Sequence, residues 1–235
     1  YGVSAAQKGG YGSTKTYQAT GINIYDKDGA AFTLNGNLDM KVKGVGVDMR
    51  GSEKNAVTIA GGTIFTPDDG EEASYKAVAA TSGTFAMGMN DAKTGSNGKD
   101  VVVQGTISLG KKGTVDLGLG SSKSRWTGIA DNKDGHPMNL YLSDGGVWEN
   151  RRTSKDQYGL FAGSRVTKVA GGTAPAKAGV IVQKDSNPIT IDHYSGHTIL
   201  VYDHEASSPA TMTGGDTIIA NAEAGYGSAV RTNSR

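Results

Sequence analysis

One short phrase recurs along this chain: apolar residues on alternate positions, then a glycine, then further alternation. Its copies contain Phe32/Leu34/Gly36/Leu38, Val57/Ile59/Gly61/Ile64, Val101/Val103/Gly105/Ile107/Leu109 and, more loosely, Ile189/Ile191/Gly196/Ile199/Val201. Alternation with period two is typical of β-strands. Recurrence at roughly 20 to 25 residues, or about twice that, is typical of stacked repeats in which no single unit can bury its apolar face alone. The phrase therefore predicts an all-β chain whose windings stack on one another.

Glycine restricts the chain further, because it makes up 36 of the 235 residues. This is about twice the usual share. A glycine inside a helix costs roughly 1 kcal/mol relative to alanine, so long helices are not expected. Residues 68–80 form the one mildly helical stretch, and Gly70 weakens it. Short strands are predicted elsewhere, with long polar loops at residues 91–100 and 151–177 and an irregular N-terminal coil at residues 1–20.

We expect these strands to wind as a parallel β-helix, a solenoid with loop insertions at its corners. Inward side chains of each coil would then stack on equivalent side chains above and below, which explains short apolar runs at near-regular intervals. An antiparallel β-sandwich stays open as the alternative, since its hairpins favour Asn-Gly and Asp-Gly turns. Such pairs stand at Asn35-Gly36, Asn97-Gly98, Asp28-Gly29, Asp69-Gly70, Asp134-Gly135 and Asp144-Gly145.

The charge distribution excludes two classes of partner. The 24 basic and 23 acidic residues are interspersed and give a net charge of +1. Without a basic patch, neither nucleic acid nor an anionic membrane surface is an expected partner.

The chain contains no cysteine, so no disulfide framework holds the fold. It has no apolar stretch near the roughly 18 residues that span a membrane. Because it starts at Tyr1 without a signal-peptide pattern, we expect it to be a segment of a longer protein.

Three histidines near the C-terminus are candidates for a metal site. The cluster comprises His193, His197 and His204, with Asp192, Asp203 and Glu205 beside them. A His-x-x-x-His spacing places both side chains on one face of a helix, but Tyr194-Ser195-Gly196 does not favour a helix. On a strand, positions four apart are roughly 13 Å apart, too far to share one ion. We therefore expect solvent-facing histidines in turns, and a metal site is the alternative.

The remaining motifs that resemble metal-binding or catalytic sequences are incomplete. Residues 26–29 and 131–135 resemble fragments of a calcium-binding loop, but neither has the glutamate at the twelfth position, so ordinary turns are predicted. The carboxylate pairs Asp68-Asp69 and Glu71-Glu72 are candidates for a polysaccharide-cleaving site, although neighbours on a strand point to opposite faces. Neither a Gly-x-Ser-x-Gly nucleophile motif nor a complete phosphate-binding loop is present. No catalytic, cofactor-binding or metal-binding residue is therefore assigned, and no cofactor is expected.

Residues 124–150 resemble a paired phrase of bacterial autotransporter passenger domains. The first half is Ser124-Arg125-Trp126-Thr127-Gly128, and the second runs from Met138 to Val147-Trp148-Glu149-Asn150. In that family a serine and a tryptophan followed by glycine precede an apolar strand, and a second tryptophan closes the next corner. The runs at residues 179–183, 188–196, 200–205 and 214–223 are similar to the membrane-proximal stem of such passengers.

The resemblance implies a right-handed parallel β-helix over residues 1–235, with residues 124–235 as its C-terminal stem. It implies export across the outer membrane of a Gram-negative-type bacterium to the cell surface, where the passenger acts as a rigid stem or adhesin in adhesion, aggregation or biofilm formation. The expected partner is a host or bacterial surface protein or glycan, with self-association also allowed. Contact with a membrane is expected only through a C-terminal barrel that this sequence does not contain. A self-assembling fibre or layer protein and, after it, a polysaccharide-degrading enzyme are the alternatives.

The two tryptophans and the long loops carry the most specific expectations. Trp126 and Trp148 are expected to anchor the folding nucleus, each burying roughly 150 to 250 Å². Adhesive ligands usually meet exposed loops. Residues 91–100 and 151–177 are therefore the first stretches to inspect for binding.

Overall fold

Strands and turns make up the described part of the chain. The computed structural model describes residues 6–8, 14–16, 19–68, 75–154, 163–184, 188–202, 211–212 and 230–233. The strands are β1 (Ala6–Lys8), β2 (Thr14–Thr16), β3 (Ala19–Tyr25), β4 (Ala31–Lys41), β5 (Gly44–Arg50), β6 (Ala56–Phe65), β7 (Lys76–Met87), β8 (Val101–Gln104), β9 (Thr106–Leu119), β10 (Arg125–Thr127), β11 (Ala130–Asp131), β12 (Met138–Leu142), β13 (Val147–Asn150), β14 (Ser164–Ala170), β15 (Gly179–Gln183), β16 (Ile189–Tyr202), β17 (Thr211–Met212) and β18 (Val230–Asn233). Among these residues the one helical element is a 3-10 turn at Pro175–Lys177. The all-β class is confirmed.

Ten parallel strands close into a barrel, so the prediction of a right-handed parallel β-helix is wrong. Strands β7, β9, β12, β14 and β16 follow one another along one side. Strands β15, β13, β10, β8 and β6 lead back from β16 to β7. In an open solenoid these two rows of strands would not be joined to each other at β16–β15 and at β6–β7, as they are here. The antiparallel sandwich is also excluded, because every neighbouring pair in this ring is parallel.

Two long strands close the ring because each pairs on both sides of it. The first half of β16 pairs with β14 and its second half pairs with β15. Residues 56–59 of β6 pair with β7, whereas residues 62–65 pair with β8. A glycine with positive φ marks the change of partner in each case. Gly196, at 74°, lies between the two halves of β16, and Gly62, at 110°, is the first residue of the second half of β6. These positions let one strand turn from one side of the barrel to the other.

Like residues stack in register across the barrel wall and form its core. One row consists of Ile64, Val103, Trp126, Trp148, Ile181 and Leu200 on successive strands. Every member of this row is at most 2% exposed. Alternate residues on the same strands face outwards, so the period-two pattern of the sequence marks the buried face correctly.

Trp126 and Trp148 form the largest aromatic contact of this row. Both side chains are fully buried, which confirms the predicted burial. Their rings are stacked with centroids 4.9 Å apart and planes inclined by 6°. The indole N–H of Trp126 donates to the carbonyl of Gly105 at 3.0 Å, and that of Trp148 donates to Gly128 at 3.1 Å. Each tryptophan therefore fills the core and satisfies a backbone acceptor.

Three local predictions differ from the structure. The mildly helical stretch at residues 68–80 contributes the start of β7, where Ala77, Val78 and Ala80 are fully buried. Burial between neighbouring strands overrides the weak helical propensity of these residues. Strand β14 lies within residues 151–177, which were predicted as a loop. Within residues 1–20 the structure describes β1 and β2, which pair with each other in antiparallel fashion.

No described helix is long and apolar enough to cross a bilayer.

Asn55 connects β6 to the turn at residues 26–29. The turn is an Asx turn, as predicted, because Oδ1 of Asp26 accepts the backbone N–H groups of Asp28 at 2.7 Å and Gly29 at 3.0 Å. Asn55 is 1% exposed. Its Oδ1 accepts the N–H of Ala30 at 2.8 Å. Its Nδ2 donates to the carbonyls of Arg50 at 2.7 Å and Asp26 at 3.1 Å.

Replacing Asn55 with alanine is expected to lower the free energy of unfolding by about 2 kcal/mol, because buried backbone groups lose their partners. Urea unfolding followed by circular dichroism measures this change. Asn23→Ala, at an exposed position of β3, is the matched control and is expected to stay within about 0.5 kcal/mol of the parent. Equal stability of the two variants would contradict the role assigned to Asn55.

Candidate binding site

The loop between β7 and β8, residues 88–100, is folded on itself by hydrogen bonds. Met89 and Ser96 form an antiparallel bridge. The backbone N–H of Asn90 donates to Gly95 at 2.9 Å, and Oδ1 of Asn90 accepts the N–H of Thr94 at 2.9 Å. Lys93 takes a positive φ of 52° at the tip. We call this segment the ridge.

Contacts with three other parts of the barrel fix the ridge in place. Nδ2 of Asn97 donates to the carbonyl of Ala60 in β6 at 2.8 Å. The hydroxyl of Ser121 donates to Oδ1 of Asp100 at 2.7 Å. The hydroxyl of Tyr141 in β12 donates to the carbonyl of Lys93 at 3.1 Å. The ridge therefore has a defined shape before any ligand arrives.

A polar cleft of about 580 Å³ lies between the ridge and strands β4 and β6. We call it the β4 cleft. Its walls are Leu34, Asn35, Thr58, Ile59, Ala60, Ala86, Met89, Asn90, Asp91, Ser96, Asn97 and Lys99. Amide and hydroxyl groups predominate among its polar atoms, and they include both donors and acceptors. One cation, Lys99, and one anion, Asp91, leave the cleft without net charge.

Lys99 joins the two walls of the β4 cleft. Its Nζ donates to the carbonyl of Asn35 on β4 at 3.3 Å. Its backbone N–H donates to Oδ1 of Asn97 at 2.9 Å. The lysine side chain is exposed, so its ammonium group has donors left for a ligand.

A second cleft of about 280 Å³ lies on the opposite side of the ridge. We call it the β12 cleft. Its walls are Thr94, Gly95, Ser96, Tyr141, Leu142, Ser143, Asp144, Ala170, Gly171, Gly172, Thr173 and Lys177. Both stretches that the sequence marked for inspection, residues 91–100 and 151–177, contribute to it. Ser96 lines both clefts.

Local hydrogen bonds also order the β12 cleft. Asp144 has a positive φ of 51°, and its carboxylate accepts a hydrogen bond from the hydroxyl of Ser143 at 2.8 Å. The backbone N–H of Asp144 donates to the carbonyl of Lys177 at 2.8 Å. The ammonium group of Lys168 lies over the ring of Tyr141, 5.3 Å from its centroid. The charged groups of the cleft, Asp144 and Lys177, are both exposed.

Of the two carboxylate pairs considered from the sequence, the structure describes Asp68 alone. Oδ2 of Asp68 forms an ion pair with Nη1 of Arg151 at 2.6 Å. Arg151 also contacts the buried carboxylate of Glu149 at 3.0 Å, and Glu149 pairs with Arg125 on its other side. The partner of Asp68 in the predicted pair, Asp69, and the second pair, Glu71-Glu72, lie outside the described residues. Asp68 and Glu149 are therefore both engaged by arginines.

The predicted histidine cluster is described only in part. His193 and His197 lie within β16 and not in turns, which corrects that prediction. His193 is exposed and His197 is half-buried, while His204 lies outside the described residues. In the part of the chain that the structure describes, no three histidine, aspartate or glutamate side chains are placed to share a metal ion.

Sequence reasoning identified the ridge but missed the opposite wall of the β4 cleft. Asn35-Gly36 carries a typical turn signal, yet both residues lie inside β4, where the register shifts between Leu34 and Asn37. Thr58 stands on β6 in an ordinary alternating strand pattern. The signal that marks this wall is the bulge, and it becomes visible only when β4 is paired with β6.

Comparisons with known proteins do not identify the chain. No protein-family model, no curated protein and no solved structure matches it. Its function is therefore inferred from the two clefts and from the sequence phrase around the tryptophans.

Proposed function

We propose that the protein is a surface-displayed adhesin that binds glycans in the β4 cleft. The observation that carries the proposal is the ridge, which holds its polar groups in fixed positions beside a preformed cleft. Loops fixed in advance lose little conformational entropy on binding, so more of the contact energy appears as affinity.

The chemistry of the β4 cleft suits a polyhydroxylated ligand. Asn35 offers a side-chain amide, and Thr58 and Ser96 offer hydroxyls. The amides of Asn90 and Asn97 each keep one N–H beyond the hydrogen bonds that fix the ridge. Sugar hydroxyls also donate and accept, so they complement this set. The volume of about 580 Å³ lies within the roughly 300 to 1,000 Å³ typical of small-molecule sites.

Display at the cell surface is supported by the sequence phrase around Trp126 and Trp148, which resembles autotransporter passengers. The proposal includes export across a bacterial outer membrane and a role in adhesion, aggregation or biofilm formation. The fold that the resemblance implied is not the one observed, so the two tryptophan motifs and the strand-rich C-terminal runs carry this part of the proposal.

Self-assembly into a surface layer is the second candidate function. Among the described strands, β3 pairs only with β5 and β4 pairs only with β6. Edge strands with free backbone groups favour pairing with another chain. Light scattering at several protein concentrations distinguishes a self-assembling protein from a monomeric adhesin.

Binding to an array of immobilised bacterial and host glycans, followed by calorimetry with the strongest binder, tests the glycan proposal. Lys99→Ala is expected to weaken binding about tenfold, the effect of losing one charge-assisted hydrogen bond. Lys111→Ala, an exposed lysine of β9 that lines neither cleft, is the matched control and is expected to bind like the parent. An absence of binding to every arrayed glycan, or an equal loss in both variants, would contradict the proposal.

A further inference from the structure

We infer that the β4 cleft and the β12 cleft are two subsites for one linear oligosaccharide, which crosses the ridge at Ser96. This inference rests on the proposed glycan binding and specifies its ligand as a chain of sugar units. Three features of the two clefts support it: a shared wall, a repeated set of polar groups and their sizes.

The wall between the clefts is thin. It consists of two chain segments that are bridged at Met89 and Ser96, and the backbones of such neighbours lie about 5 Å apart. Ser96 is half-buried and faces both clefts. Its Oγ accepts the N–H of Gly98 at 3.0 Å, so the hydroxyl proton remains free to donate. A ligand that fills one cleft therefore needs little additional length to reach the other.

The two clefts carry the same kinds of polar group. The β4 cleft contains Lys99 and Asp91, and the β12 cleft contains Lys177 and Asp144. Each cleft adds hydroxyl side chains to its lysine and aspartate, Thr58 on one side and Thr173 on the other. A repeated set of groups suits a ligand whose units repeat.

The sizes of the clefts favour a shared ligand. The β12 cleft, at about 280 Å³, lies just below the range of roughly 300 to 1,000 Å³ typical of independent small-molecule sites. The β4 cleft is about twice as large. The larger cleft therefore has room for more sugar units of one chain than the smaller cleft.

Calorimetry with linear oligosaccharides of one to six units tests the inference. The probes are oligomers of glucose, N-acetylglucosamine and galacturonic acid, which distinguish neutral, acetamido and acidic chains. For the series that binds, affinity is expected to rise with length until both clefts are filled and then to level off. Lys177→Ala is expected to weaken binding of the longest oligomer about tenfold and to leave the shortest binder unchanged. Lys99→Ala is expected to weaken both, and Lys111→Ala neither.

The outcomes separate the two proposals. Affinity that does not depend on length, together with an unaffected Lys177→Ala variant, overturns the two-subsite inference and leaves glycan binding in the β4 cleft standing. An absence of binding by all three series and by the glycan array overturns both. Thermal melting of each variant confirms that it is folded, which is expected because Lys99, Lys111 and Lys177 are all exposed.

Discussion

Trp126→Ala is expected to lower the free energy of unfolding by roughly 3 to 5 kcal/mol. The indole is fully buried in the central row of the barrel, so alanine leaves a cavity beside Trp148. The carbonyl of Gly105 also loses the hydrogen bond that it now accepts at 3.0 Å. Urea unfolding measured by tryptophan fluorescence and by circular dichroism gives the change directly.

A set of further variants separates packing from hydrogen bonding at this position. Trp126→Phe retains an aromatic ring but not the N–H, so its stability is expected to lie between that of the parent and that of Trp126→Ala. Trp148→Ala alone and with Trp126→Ala completes a double-mutant cycle, with an expected coupling of about 0.5 to 1.5 kcal/mol for the stacked rings. Tyr25→Ala is the control, because this tyrosine is 78% exposed. If Trp126→Ala were as stable as Tyr25→Ala, the tryptophans would not hold the core together.

Gly62→Ala is expected to cost about 3 kcal/mol or more, through backbone strain and overlap together. Gly62 has a φ of 110°, a conformation that residues with a Cβ rarely adopt. An added Cβ would also overlap the backbone of Leu38 in the neighbouring strand. Because β6 turns from β7 to β8 at this residue, the substitution acts on the closure of the barrel. Hydrogen exchange of the amides in β6 and β8 measures whether that closure loosens.

Gly36→Ala is the matched control for this prediction. Gly36 has no atom within 4 Å of the position that a Cβ would occupy. The alanine variant is therefore expected to be as stable as the parent, or more stable by about 0.4 to 1 kcal/mol, because alanine restricts the unfolded chain. Similar losses at both glycines would show that closure at Gly62 is not the cause.

The strands could be predicted from sequence, but the way in which they close could not. Alternation at Ile64, Val103 and Ile181 identifies which side chains face the core. The same alternation is equally compatible with an open parallel β-helix and with a closed barrel. Closure depends on β6 and β16 each pairing with two partners. The residues that permit this are Gly62, which directly follows Gly61 of the repeated phrase, and Gly196, and nothing in their local sequence distinguishes them from the other glycines of the chain. Their positive φ is a property of the assembled barrel and leaves no local sequence signal.

The candidate site was predictable to a similar extent. The polar composition of residues 91–100 marked the ridge, and the structure places both clefts beside it. Asn35 and Lys177, however, stand far from the ridge in sequence and reach it only through strand pairing. Single-sequence patterns do not specify such long-range contacts. The ridge could therefore be anticipated, whereas the walls opposite it could not.

The way in which the ridge is attached has a consequence for diversification. Its base is tied to the barrel by Gly88, Asn97 and Asp100. Its tip at residues 91–95 is exposed or half-buried, and it is held through a backbone group, the carbonyl of Lys93 that accepts from Tyr141. Side-chain exchanges at the tip would leave those attachments unchanged, because the group held at the tip belongs to the backbone. The residues of the tip could therefore vary, and ligand specificity with them, while the barrel that carries the ridge stays the same.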